Sequence, residues 1–499
     1  MFKNQPKGLF VAALSNMGER FGFYTMMAIL TLFLMSKYDL DGVRAGAIYS
    51  GFYAAIYGLS LVGGLLADRL GKYKGIIMSG LIIMSLGYAI LAIPTIFSLP
   101  VTIGALFIVA FGNGLFKGNL QALVGQLYDN EKYSKMRDYG FQIFYMFINV
   151  GAIFAPMIAT GVRNWWLKSQ GFLYNADMSN LCHSFLDGKM PQGTVSGKFT
   201  ELATQVSGGV VPTNLTDFAH NFLNAFNTGY HYAFATAIVA MGISLAIFII
   251  NKKNLPNPRN ASERTKLSQE EIHQDAKEIK QRLYALFAVF AIVIFFWFSF
   301  HQNGLSLTMF AKDYTHLQIG DFKLSAEIFQ SANPFFVVFL TPVVMWFFAA
   351  LTRRGVHLST ARKIAIGMAI AATAYVIMAL GSLGVPDYKV IKDTGLAAAD
   401  RVSPWLLIAT YLTLTIAELF ISPLGLSFVS KVAPVKMQGL MQGCWLGATA
   451  VGNLLLFIGP IMYQSLPISV AWSIFAVVCF VSMGAMLGMV KWLETITKD

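Results

Sequence analysis

Apolar residues run through this chain in about twelve long stretches, centred near residues 22, 57, 86, 114, 151, 240, 297, 340, 373, 415, 450 and 480. Each is close to the roughly 20 residues an α-helix needs to cross the hydrocarbon of a bilayer. The apolar character is continuous within each stretch, which predicts helices and excludes the short alternating strands of a membrane barrel. Between residues 251 and 282 the pattern breaks into NKKNLPNPRNASERTKLSQEEIHQDAKEIKQR, with prolines first and a helix-forming charged run afterwards. Ser268 followed by Glu270 and Glu271 reads as a helix start on the membrane surface. Six stretches lie on each side of this break. A second interruption, about residues 164–227, carries Trp165, Trp166, Cys182 and scattered charges. Its hydrophobic residues predict a partly ordered cap, to which no chemistry is assigned.

Composition agrees with a polytopic membrane protein. Hydrophobic residues make up 56% and charged residues only 12%, with a mean hydropathy of +0.58, which excludes a soluble globular domain. The net charge of +12 invites a nucleic-acid reading, but its distribution excludes one. Lys and Arg gather in alternate loops: Lys3 and Lys7, Arg69 to Lys74, Lys132 to Arg137, Lys252 to Arg282, Arg353 to Lys363, Lys431 and Lys436, Lys491 and Lys498. The intervening turns near residues 97–100 and 464–467 have none. This asymmetry predicts both termini in the cytoplasm of a multi-pass protein of the cell inner (plasma) membrane. The first apolar run is too long for a signal peptide and is expected to be a retained span. Cys182, Cys444 and Cys479 are an odd number and imply no disulfide or metal framework.

Four ionisable residues lie within the apolar stretches: Glu19 and Arg20 in the first, Lys117 in the fourth and Glu418 in the tenth. Each costs about 2.5–3.5 kcal/mol at mid-bilayer unless it is paired or lines a wet cavity. Two carboxylates balance two cations, so the set reads either as ion pairs that lock helices or as a polar path through the membrane. A zwitterion would bridge the halves, its carboxylate toward Arg20 and Lys117 and its ammonium toward Glu418. Arg20 and Tyr24 share a helix face, as do Glu418 and Ser422. Tyr57, Asn149 and Asn333 add hydrogen-bonding groups for a peptide backbone, and Trp445 an apolar wall. Taken alone, Tyr57 and Trp445 read more often as packing or interfacial residues, and the two asparagines equally as helix bridges. Lys312 and Asp313, at the end of the seventh stretch, read as solvated.

Gly63-Gly64-Leu65-Leu66-Ala67-Asp68-Arg69-Leu70-Gly71-Lys72, at the end of the second stretch, resembles the signature loop of the major facilitator superfamily. Gly64, Asp68, Arg69, Gly71 and Lys72 are its conformational-gate motif, with an acid able to bond a helix N-terminus and basic residues at the surface. Further strings narrow the match: Asn16-Met17-Gly18-Glu19-Arg20-Phe21-Gly22-Phe23-Tyr24, Phe144-Tyr145-Met146-Phe147-Ile148-Asn149, Phe296 to Gln302, Gln330-Ser331-Ala332-Asn333-Pro334, Glu418 to Ser427, and Gly443-Cys444-Trp445. Together they resemble the proton-dependent oligopeptide transporter family, over almost the whole chain outside the loop 164–227.

The resemblance implies an all-α major facilitator fold of twelve transmembrane helices, with bundles over 1–250 and 283–499 and a cytoplasmic linker over 251–282. It implies a monomeric secondary transporter, not an enzyme, that imports di- and tripeptides with protons and needs no cofactor or metal. In this chain the proton-coupling residues expected are Glu19 and Glu418, with His301 added from its own titratable side chain. Four positions depart from the family pattern. Asn16 replaces a glutamate, Met27 an arginine, Phe23 a tyrosine, and His301 the acid before Gln302. The losses leave open a different dipolar or anionic solute, an uncoupled facilitator or a non-transporting receptor. An intramembrane enzyme is disfavoured because no nucleophile–base or metal grouping appears in the sequence.

Overall fold

The computed structural model describes residues 5–70, 72–95, 98–128, 132–133, 137–175, 177–190, 193, 195–256, 276–319, 322–356, 358–391, 396–432 and 438–497. Among these residues, twelve helices are long and apolar enough to cross a membrane. The first six are α1 (Lys7–Tyr38), α2 (Gly42–Leu70), α3 (Tyr73–Leu91), α4 (Leu99–Leu127), α5 (Arg137–Ser169) and α6 (Leu215–Asn251). The second six are α7 (Ala276–Phe300), α8 (Ala332–Arg353), α9 (Thr360–Gly381), α10 (Pro404–Val432), α11 (Gln438–Leu454) and α12 (Ile468–Thr497). Strand structure among the described residues is confined to a hairpin pairing Gln318–Ile319 with Phe322–Lys323. The helix start expected at Ser268 lies outside the described residues.

Buried apolar side chains of α1–α6 form one cluster, joined by Leu305 and Leu456, and those of α7–α12 form another. Without a hydrophobic force between helices in lipid, close approach depends on small residues. Gly63 meets the carbonyl of Gly114, and Gly80 meets that of Gly112, so α2, α3 and α4 touch backbone to backbone. Across the halves, α2 packs on α11 and α5 on α8. The halves also meet at the end of the bundle that carries the turn between α1 and α2. There Gly46 lies against Pro460 and Leu305, and the Gln330 amide donates to the Ala28 carbonyl at 3.5 Å.

The loop after α5 is more ordered than its composition predicts. Helices Met178–Leu186 and Thr200–Val206 are tied to the outer turns of α6 by a run of aromatic rings. Phe185 stacks on Phe199 at 4.8 Å, Phe199 meets Phe218 at 6.3 Å, and Phe218 stacks on Phe222 at 6.0 Å. Cys182 is buried beneath them. His183 Nε2 lies 2.6 Å from the Ser36 carbonyl, fixing this cap to α1. Asn214 caps α6, its side chain accepting from the Thr216 and Asp217 backbone amides.

The cap also overturns one expectation. Lys312 is buried rather than solvated, with 8% of its surface exposed, and Asp313 accepts a hydrogen bond from the Tyr463 hydroxyl at 3.0 Å. Sequence spacing placed both at the end of a span, but the chain folded over that end covers Lys312, while Asp313 is half-buried beside Tyr463.

Gly63 and its neighbour Gly64 give a direct test of the packing. A Cβ at position 63 would collide with the Gly114 backbone, whereas one at 64 meets nothing within 4 Å. Gly63→Ala is expected to lower the thermal unfolding midpoint in detergent, by an overpacking cost of about 1–3 kcal/mol. Gly64→Ala is expected to leave it unchanged. Equal melting of the two variants would refute the close helix approach.

Candidate functional site

Glu19 and Arg20 are consecutive on α1, so an ideal helix would turn their side chains about 100° apart. Instead they fold back on one another. Arg20 donates through Nε to Glu19 Oε2 at 2.6 Å and through a terminal nitrogen to Oε1 at 2.7 Å. Asn113 of α4 adds a third donor to Oε1 at 2.5 Å, and both charged side chains are buried. The guanidinium carbon lies 4.4 Å from the centre of the Phe23 ring. A bidentate, charge-assisted pair is the arrangement that makes two ions tolerable at this depth. It also spends much of the Arg20 fork inside the protein.

Lys117, one turn beyond Asn113 on α4, is held differently. Its ammonium sits 3.7 Å over the ring of Tyr57 from α2, a cation–π contact of up to about 2 kcal/mol when desolvated. Among the described residues it makes no ion pair. Tyr24 and Tyr57 are half-buried nearby, and Tyr53 stands 5.5 Å from Tyr57, ring centre to ring centre.

Glu418 of α10 is the meeting point of the two halves. Its Oε2 accepts from Asn333 of α8 at 2.9 Å, and its Oε1 accepts from the Tyr145 hydroxyl of α5 at 2.6 Å. Asn333 also donates to Thr415, one turn before Glu418, at 2.9 Å. Asn149, one turn after Tyr145, donates to the Tyr145 carbonyl at 3.0 Å. So Asn333 and Glu418 come together with the Tyr145 hydroxyl, a residue that sequence reasoning quoted in a motif but did not select, while Asn149 bonds the backbone of its own helix. The signal for Tyr145 was available: a tyrosine four residues before Asn149 shares that residue's helix face. Ser422, one turn after Glu418, is buried with a hydroxyl that has no partner among the described residues.

His301 occupies a break in α7, a 3₁₀ turn over His301–Gly304, after which Ser306–Tyr314 resumes the helix. Helix α11 breaks opposite it, between Leu454 and the resumption at Ile458–Ser465. The two breaks satisfy each other. Gln302 donates to the Leu456 carbonyl at 3.1 Å and accepts from Ser306 at 2.6 Å, while His301 Nδ1 lies 2.5 Å from Asn453 Oδ1. The imidazole is buried between Trp297, 4.9 Å away, and Tyr53, 4.7 Å away. It therefore faces aromatic rings and Asn453 rather than Arg20, which is engaged with Glu19. Trp445 is buried against Gly425, in the space a Cβ there would need, and against Phe290. Of the gate motif, Gly64 is half-buried and Lys72 exposed; the side chains of Asp68 and Arg69, and residue Gly71, lie outside the described residues.

A family model described as the POT family matches residues 74–268 and 259–468 of this chain. The chain belongs to the POT family. A peptide transporter of Yersinia enterocolitica is 29% identical over 472 residues, covering 91% of this chain and 87% of that protein. The dipeptide and tripeptide permease A of Escherichia coli is 28% identical over 461 residues, covering 90% and 83% respectively. A transporter of Bacillus subtilis described as uncharacterized is 28% identical over 453 residues, covering 89% and 85%. Among solved structures, a peptide transporter in complex with sulfate superposes with a TM-score of 0.73 at 23% identity, over 100% of this chain and 97% of that one. A POT family transporter in complex with 5-aminolevulinic acid gives 0.71 at 20% identity, over 99% and 98%. At these identities the structures establish the fold. This POT-family chain is thus a multi-pass membrane transporter, not an enzyme.

The buried pair sets an order of stabilities within this fold. Arg20→Met strands the Glu19 carboxylate and is expected to cost about 3–5 kcal/mol. Asn113→Leu removes one donor of three and costs about 1.5–3 kcal/mol. Thermal unfolding in detergent should rank wild type above Asn113→Leu above Arg20→Met. Partial recovery is expected in the Glu19→Gln/Arg20→Met double variant, which no longer buries a lone charge. An Arg20→Met protein as stable as wild type would contradict the pairing.

Proposed function

We propose that this POT-family protein imports di- and tripeptides across the cell inner membrane by proton-coupled alternating access, as a monomer with both termini in the cytoplasm. The reading rests above all on Glu418, a carboxylate suspended between α5 of one half and α8 and α10 of the other. A peptide ammonium is the natural replacement for the Tyr145 hydroxyl at Glu418 Oε1, with Asn333 and Asn149 beside it for the first peptide group. Lys117, with an ammonium met by a ring face rather than a carboxylate, takes the peptide carboxylate. The names of relatives from Yersinia enterocolitica and Escherichia coli support peptides as the cargo. Ser422 and Tyr57 line the same path, while Arg20 acts by holding Glu19. In this scheme Glu19 and Glu418 are the carboxylates through which protons are coupled, and His301 adjusts that coupling through the break in α7.

One observation favours a second reading. Arg20 is bound on two nitrogens by Glu19, and Met27 and His301 stand where the family has a cation and an acid. A pocket with fewer available charges suits another small dipolar or anionic solute, and the same assay decides. Uptake of a labelled dipeptide into proteoliposomes, with and without an inward acid gradient, is expected to be saturable and faster with the gradient. Lys117→Gln and Glu418→Gln are each expected to abolish uptake while the protein still inserts, because losing one charged partner costs about 3–5 kcal/mol. Tyr145→Phe leaves Glu418 with Asn333 alone. Wild-type uptake in both charge variants would end the reading.

The role of His301 is separable. Uptake measured against external pH is expected to be less steeply acid-driven in wild type and His301→Gln than in His301→Glu, which restores a carboxylate at that position. Three superimposable profiles would remove His301 from proton coupling and leave it a packing residue between Trp297 and Tyr53.

A further inference from the structure

Asn333 of α8 does not reach Glu418 alone. Its amide nitrogen donates to Glu418 Oε2 and to the Thr415 hydroxyl, each at 2.9 Å, so both of its N–H bonds are spent on α10. Thr415 is fully buried one turn before Glu418, and its own hydroxyl donates to the Tyr411 carbonyl at 2.7 Å. A hydroxyl carries one hydrogen, and a backbone carbonyl can only accept. Toward Asn333, Thr415 is therefore confined to accepting. The Asn333 side chain is half-buried, and its amide oxygen accepts from no group among the described residues. Asn149 of α5 has the same polarity: its nitrogen serves the Tyr145 carbonyl at 3.0 Å, and its oxygen has no donor among the described residues.

Glu418 by itself would not secure that polarity. A carboxylate only accepts, but a carboxylic acid also donates, and a protonated Glu418 could turn the amide round by offering its O–H to the oxygen. Thr415 has no such second form, because its hydrogen is committed within its own helix turn. We propose that Thr415 is a positioning residue that holds Asn333 with its N–H groups inward and its oxygen toward the ligand, in both protonation states of Glu418. The site then keeps an acceptor for the N–H groups of a primary ammonium even while its carboxylate is neutral. It discriminates against cations that have fewer N–H bonds to give. This rests on the peptide reading of the same site and adds to it which end of Asn333 the ligand meets.

The test competes uptake of labelled alanyl-alanine into proteoliposomes with the unlabelled dipeptide and with its N,N-dimethyl form, which keeps the positive charge but a single N–H bond on it. Thr415→Val preserves shape and removes the acceptor. It is expected to narrow the preference for the primary amine by about three- to tenfold, the range that one neutral hydrogen bond commands. Thr415→Ser keeps the hydroxyl and is expected to retain the wild-type preference. A purely structural role would weaken both competitors alike, so an unchanged ratio in Thr415→Val overturns the proposal. A Thr415→Ser protein that behaves like Thr415→Val overturns it too. A second measurement needs no ligand. If Thr415 acts through Asn333, thermal unfolding in detergent should show Thr415→Val costing less in an Asn333→Ala background than in wild type, and equal costs would overturn the proposal. Absence of alanyl-alanine uptake in the parent protein would end the transport reading instead, and the unfolding cycle would still decide whether Thr415 holds Asn333.

Discussion

An ionised group inside a bilayer must be neutralised where it stands, and this requirement organises the interior of the protein. In the first half, Glu19 and Arg20 cancel each other within one turn of α1, with Asn113 completing the carboxylate's hydrogen bonds. Of the four charges recognised in the spans, Lys117 is left on one side and Glu418 on the other. The first is held by a ring face and the second by an amide and a hydroxyl, all neutral groups. Neutral partners hold a charge without cancelling it. A ligand bearing both signs can therefore gain from each contact, because it brings the missing counter-charges and exchanges for them only a tyrosine hydroxyl and a cation–π contact.

The helix breaks in α7 and α11 answer the same constraint for the backbone. Interrupting a helix frees carbonyls and amides that lipid cannot satisfy. Here the interruptions face each other, and Gln302 serves the Leu456 carbonyl while Ser306 serves Gln302. The arrangement puts His301 and Asn453 at the same depth, where a change in one side chain is felt by both helices. Irregular backbone is confined to a protein-lined seam, and this seam borders Tyr53 and Tyr57, the wall that carries Lys117.

The twelve helices were legible in the sequence because each needs only a run of apolar residues of the right length. Glu19, Arg20, Lys117 and Glu418 were equally legible, since charge at that depth has few structural explanations. Their partners were not. Asn113 is an ordinary polar residue of a membrane helix, and although Tyr145 shares a helix face with Asn149, nothing in the spacing of either reveals which carboxylate it meets. Nor was the partner of Arg20 legible: a carboxylate one residue away binds it in a geometry that helical periodicity argues against. Lys312 was misread because hydropathy marks where a span ends and not what folds over its end. The cap that buries it is polar chain, recognisable as structure only through the aromatic stack of Phe185, Phe199, Phe218 and Phe222.

The departures from the family pattern become intelligible as compensated changes. The resemblance implies an arginine at the position of Met27 and an acid at that of His301. Losing either alone would strand a charge at bilayer depth; losing both preserves neutrality. Met27 is packed into the apolar core with Met26 and Phe23, and the seventh helix has gained a polar contact of its own between His301 and Asn453. Where the resemblance implies an ion pair between α1 and α7, this chain has a neutral bridge between α7 and α11, within the second half. An electrostatic tie across the halves is relieved by protonating its acid, whereas an amide–imidazole bond inside one half opposes no separation of the halves. The polar tie between the halves beside it is the Glu418–Tyr145 hydrogen bond, the contact that the proposed ligand ammonium would break.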